Sequence, residues 1–132
     1  MSVSRRAATG ERDRGSAVVD FVLVGALVTV LLVGVLQLAL AMHVRATLID
    51  CAAEGARHGA LLGSSPSAGA QRTRDLISSA LSPAYANDVA ARATQIAGAP
   101  VLEVAVRAPL PVLGLLGPAG VIDVSGRALV EA

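Results

Sequence analysis

The sequence predicts a membrane-anchored α+β protein: a long N-terminal helix, transmembrane in its first half and amphipathic in its second, then one short helix and a small antiparallel β-sheet. Three observations carry this. Residues 21–42 form a run of 22 residues without a charge. Helical spacing then continues, with no proline, to about Leu62. Beyond Pro83 the apolar period changes from about 3.6 residues to 2, the alternation of a half-buried strand.

Composition limits what such a chain can be. It has 132 residues, so once a membrane segment is subtracted only a small outer domain remains. Aromatic content is 2%, in effect Phe21 and Tyr85, which leaves Ala, Val, Leu and Gly to fill the core. All eleven basic residues are Arg, and four of them (Arg5, Arg6, Arg12, Arg14) precede residue 15, opposed there by Glu11 and Asp13. Downstream of Phe21 the signs balance. No basic surface of the kind that displaces counterions from nucleic acid is expected, so no nucleic-acid partner is assigned.

Taken in order, residues 1–15 read as a charged cytoplasmic leader. The run FVLVGALVTVLLVGVLQLALAM would extend about 33 Å as a helix and match a hydrocarbon slab of about 30 Å. Gln37 is its one strongly polar member, and Thr29 can return its hydroxyl to a helix carbonyl. The Arg-rich head favours an N-in, C-out orientation, with membrane lipid as the first partner. A secretory signal cut after Ala41 is the competing reading, since Ala39 and Ala41 are small. The apolar stretch is longer than the roughly 7 to 15 residues such signals use, which favours a retained anchor.

The helix continues through HVRATLIDCAAEGARHGALLG, where Val44, Leu48, Cys51 or Ala52, Gly55 and Gly59 share one stripe. Residues 16–63 therefore form one helical unit, closed by Gly63 and the SSPS that follows. Small residues recur four apart, as Ala52, Ala56, Ala60 and as Gly55, Gly59, Gly63, a pattern that lets helices approach closely. Either another membrane helix or the protein's own outer domain would use it.

Residues 64–132 read as a small extracytoplasmic α+β domain. Ser65 is an N-cap candidate with Pro66 at the first helical position, and a second helix is expected over 67–81, with Leu76, Ile77, Ala80 and Leu81 on one face. VLEVAVRA sets Leu102, Val104 and Val106 against Glu103 and Arg107. VIDVSGRALVE sets Ile122, Val124 and Val130 against Asp123, Ser125, Arg127 and Glu131. DVAARATQI reads as a third, weaker strand, joined in a hairpin through Gly98 and Pro100. PLPVLGLLGPAG between the two clear strands reads as an ordered loop covering the sheet, with a docking patch as the alternative.

Chemistry is sparse. There is no Gly-rich phosphate loop, HExxH, CxxC or GxSxG, and the acids occur singly. His43, Cys51 and His58 are 8 and 7 residues apart, about 12 and 10 Å along a helix, too far for one ion. No enzyme activity, metal or cofactor is expected. The lone Cys51 excludes an internal disulfide framework and reads as a small residue on a helix face, with an intermolecular bridge as the alternative.

RGSAVVDF before the apolar run, VRATLIDCAAEGARHGA after it, and a small domain with VAVRAPLPVLGLLGP and a last strand ending near RALVE together resemble the TadE-like pseudopilin family of the tight-adherence (Flp) pilus machinery. The resemblance implies a minor pilin-like component, inserted as a precursor, cut by a prepilin peptidase and associated with other pilin-like subunits and the assembly platform. It places Gly15 before the cut, Ser16 as the new N-terminus, Asp20 at the acidic fifth position and Phe21 after it. The usual residue at that fifth position is Glu, one methylene longer. The small-residue spacing, apart from the resemblance, gives Ala52, Gly55, Ala56 and Gly59 as helix-packing residues.

Overall fold

The computed structural model describes residues 4–111 and 120–131, with side chains from residue 10 onward. Helix α1 (Ser4–Ala60) is followed by α2 (Pro66–Ala80), a short 3-10 turn (Pro83–Ala86) and strands β1 (Asp88–Ile96), β2 (Ala99–Pro109) and β3 (Val121–Leu129). The strands make one antiparallel sheet in the order β1-β2-β3. The α+β architecture expected from the sequence is the one found.

Two compact units divide the chain at Leu36 and Gln37. In the first, every described side chain from Gly10 to Leu36 is exposed. The helix is long and apolar enough to cross a membrane. Thr29 donates its hydroxyl to the Gly25 carbonyl at 2.8 Å, so that side chain carries no unpaired donor into lipid. The helix begins at Ser4 rather than near residue 16. RRAATGERDR has no proline and is rich in good helix formers, and an isolated Gly costs about 1 kcal/mol without forcing a break.

The second unit holds the core. Val44, Leu48, Cys51, Ala52 and Ala56 of α1 meet Ala70 and Ile77 of α2 and the inward row Val89, Val104, Val106, Ala108, Ile122 and Val124 of the sheet. Leu102, Val104 and Val106 lie inward as alternation predicts. No Phe or Trp fills this space, so the elements approach closely. A Cβ on Gly126 would stand 2.3 Å from the Ala53 nitrogen and 2.4 Å from the Ala52 carbonyl carbon, so α1 runs directly over β3 at that point.

Local chemistry fixes the boundaries. Ser65 caps α2 by accepting the Ala68 N–H at 3.1 Å, with Pro66 in the first turn. The buried row of α2 is Gly69, Ala70, Thr73 and Ile77. Of the face expected from sequence, Ile77 is buried, Leu76 and Leu81 are half-buried and Ala80 is exposed. Helix α1 stops two residues before Leu62 because the Glu131 N–H takes the Ala60 carbonyl at 2.9 Å, and Gly63 then turns the chain at φ +81°. The β1-β2 hairpin turns on Ala97 and Gly98, both at positive φ (51° and 80°), the two-residue turn whose twist matches the strands. Pro100, expected in that turn, lies in β2 opposite Gln95. Val130 falls beyond β3 and is exposed. Of the loop between β2 and β3, residues 112–119 lie outside the described residues, and with them most of the expected sheet cover or docking patch.

Gly126→Val should destabilise the domain by about 1–3 kcal/mol, because the added carbons meet helix backbone rather than movable side chains. Thermal melting of the detergent-solubilised chain followed by circular dichroism checks this; an unchanged midpoint would contradict the close α1-β3 crossing.

Candidate functional site

Gly15, Ser16, Asp20 and Phe21 all lie on exposed turns of α1. A Cβ at Gly15 would meet nothing within 4 Å. Ser16 and Asp20 are four residues apart and so share one helix face. Among the described residues Asp20 has no ion-pair partner. Segment 15–21 is thus presented rather than packed, a carboxylate and an aromatic ring on a helix side that the folded domain does not cover.

The small-residue row has the opposite setting. Ala52, Gly55, Ala56 and Gly59 are buried inside the protein's own domain. A Cβ on Gly55 would collide with Thr73 Oγ1 and stand 2.8 Å from the Gly69 carbonyl oxygen; one on Gly59 would stand 2.9 Å from Gly69 Cα. Gly69 reciprocates at 2.8 Å from the Gly55 carbonyl oxygen. The two helices cross on three glycines. Thr73, fully buried, donates its hydroxyl to the Gly69 carbonyl at 2.9 Å, which satisfies the polar atom placed at this crossing.

The sheet's outer face carries a feature that alternation did not reveal. Glu103 is only 5% exposed. Register places it between Arg92 on β1 and Arg127 on β3. Its Oε1 accepts from Arg92 Nη2 at 2.7 Å, and its Oε2 accepts from Arg127 Nε. The Arg127 hydrogen bond, with that of Arg92 and both positive charges behind it, holds the Glu103 carboxyl below the usual carboxylate range, against the opposing effect of burial. A second rung joins Arg107 to Asp123 at 3.1 Å.

Cys51 is buried and free, and burial, helped by the neighbouring Asp50, pushes its thiol pKa up. Such a thiol is poorly reactive, so the small-residue reading fits and the intermolecular bridge does not. His43 and His58 are exposed on α1. No group of three His, Cys, Asp or Glu converges among the described residues. A shallow cleft of about 420 Å³ between the end of α1 and β3 is lined by Arg57, Arg127 and Glu131, without a nucleophile and base in reach of each other.

Sequence reasoning missed Gly69, Thr73, Gly126 and Glu103. Gly126 had a signal, since an isolated Gly in a strand pattern marks close backbone approach. Glu103 had none until the register set an Arg on either side.

An exposed apolar helix joined in sequence to a small α+β domain is consistent with a single-pass membrane anchor. Residues 15–57 match the family model described as TadE-like protein, and over that stretch the chain is similar to the family. The match begins at Gly15 and takes in the presented segment, the apolar run and most of the buried row. It points to a protein associated with the Tad pilus. Neither a curated protein nor a solved structure matches the chain.

Glu103→Gln should lower stability by about 1–2 kcal/mol at neutral pH, a figure kept small because both Arg partners are largely exposed. Its folded-state pKa is depressed, so the wild-type advantage is complete above the ordinary carboxylate value. It is lost as pH falls through the folded one. Denaturant unfolding of both proteins across acid pH checks this; a constant difference would contradict the ion-pair origin.

Proposed function

We propose that the protein is a minor pilin-like component, a pseudopilin, of the tight-adherence pilus, anchored N-in by α1 with its α+β domain on the extracytoplasmic side. A prepilin peptidase cuts it between Gly15 and Ser16. The observation that carries this reading is the family match starting at Gly15, six residues before the uncharged run of a helix long and apolar enough to cross a membrane. The mechanism is structural rather than chemical. Cutting removes the four leader arginines and leaves an ammonium at Ser16, one helical turn before Asp20. A carboxylate in a membrane helix costs up to about 2.5–3.5 kcal/mol at the centre and less near the edge, so a partner is favoured. The new N-terminus, its own or a neighbouring subunit's, supplies one. The assembly platform and other pilin-like subunits are the partners of this segment, because the small-residue row downstream is occupied by the protein's own α2.

An unprocessed, single-pass accessory protein is the second reading. The observation in its favour is that α1 runs from Ser4 through Gly15 and Ser16 without a break, whereas a protease needs extended backbone at its cut. Gly15 lowers the cost of unwinding there, since glycine is a poor helix former with no side chain to displace. Secretion by cutting after Ala41 fits less well, because it would remove Gln37, whose side chain bonds to Pro111 in the domain.

Mass spectrometry of the protein from its native host decides among them. A chain starting at Ser16 is expected. Gly15→Leu should leave the precursor whole, Asp20→Ala should be cut but fail to assemble, and Asp20→Glu should do both normally. A chain starting at Met42, or an intact N-terminus, would remove the pseudopilin mechanism.

A further inference from the structure

The apolar run and the folded domain overlap along α1. Gln37 lies five residues before Met42, the last of that run, or about 7.5 Å at 1.5 Å per residue. Yet its side-chain amide donates to the carbonyl of Pro111. Pro111 stands just past β2, whose last residue, Pro109, is paired with Val121, and the Leu110 N–H bonds to the Gly120 carbonyl at 3.0 Å. This end of the sheet, the foot of the domain, is therefore level with the last turns of the apolar run.

What the foot exposes is apolar: Leu38 (62%) and Met42 (63%) on α1, and Val121 (60%) on β3. Residues 108–122 contain no charge. Charge resumes at the Arg107-Asp123 pair on the sheet and at the exposed His43 and Arg45 on α1.

Two bilayer positions accommodate the helix. If residues 17–36 span, the foot rises into water, Leu38 and Met42 are exposed there, and Asp20 is drawn into hydrocarbon. If residues 21–42 span, Asp20 stays at the inner edge and the foot reaches about 7.5 Å into the outer leaflet, within the roughly 5–10 Å at which interfacial elements lie. Among the described residues, the backbone groups around Pro109–Pro111 tolerate that depth. Pro109 and Pro111 have no N–H, the Pro111 carbonyl is bonded to Gln37, and Leu110 is bonded to Gly120.

We propose that the foot of the domain, formed by Leu38, Met42, Pro109 and Val121, rests in the headgroup-acyl boundary of the outer leaflet, a second membrane contact beside the span. It rests on the reading of α1 as a membrane span. The foot fixes the height of the domain over the bilayer.

The chain contains no Trp, so single replacements report their own surroundings. Val121→Trp and Pro109→Trp probe the foot, Leu27→Trp the middle of the span, and Ile96→Trp the far end of the sheet. Each is made in the full chain and reconstituted into phosphatidylcholine vesicles carrying acyl-chain bromines at shallow or deep positions. Both foot probes should show blue-shifted emission and lose intensity to shallow bromines, Leu27→Trp should lose it to deep ones, and Ile96→Trp should be unaffected. Quenching of Leu27→Trp with neither foot probe quenched overturns the foot contact and leaves the span standing. Blue-shifted but unquenched foot probes assign the foot to protein and overturn the lipid contact. An unquenched Leu27→Trp removes the span, and the foot contact with it.

Discussion

Helix α1 passes from residues whose side chains are all exposed to residues packed in a protein core, and its hydrogen-bonded backbone does not break between them. The first set is dominated by large apolar side chains between Phe21 and Leu36. The second is small, with Ala52, Ala56 and Ala60 almost wholly inaccessible. A helix that must be covered by lipid along one stretch needs apolar bulk on all sides. One that must be covered by two other elements along the next needs a narrow flank they can reach. The change of side-chain size along a single element meets both demands, and the placement of α2 and the sheet follows from it.

The aromatic-poor composition then becomes intelligible. With Tyr85 the one aromatic ring in the domain, little area comes from large rings, and contact comes instead from short distances between backbones. Three glycines at the α1-α2 crossing and a fourth where β3 meets α1 supply those distances. Such contacts tolerate little enlargement. The buried Glu103, hydrogen-bonded on both sides by Arg, stiffens the outer face of a sheet of three strands with two open edges.

Much of this was legible in the residues. The uncharged run, the unbroken helical spacing into HVRATLIDCAAEGARHGA, the Ser65-Pro66 start of α2 and the alternation of VLEVAVRA each express a periodicity or capping rule that operates locally. What was not legible depends on partners distant in sequence. Helix α1 ends early because Glu131 bonds to Ala60, 71 residues away. Glu103 looked like a solvent-facing residue because its two Arg neighbours become adjacent only when β1 and β3 pair with β2. The spacing of the small-residue row alone could not say whether another chain or the protein's own α2 would fill it. At the N-terminal segment, sequence supplied Gly15, Ser16 and Asp20, and the structure adds that they stand exposed on continuous helix.

For function, the division of labour along α1 is the main consequence. The buried half of the helix is occupied in holding the domain together. That view requires the second half of α1 to be an inseparable part of the domain rather than a stalk beneath it. The direct measurement is thermal unfolding of two fragments, residues 37–132 and residues 64–132. A cooperative transition in the first and none in the second is the expected result, because removing Val44, Leu48, Ala52 and Ala56 uncovers the inner face of the sheet. Cooperative unfolding of residues 64–132 alone would contradict it.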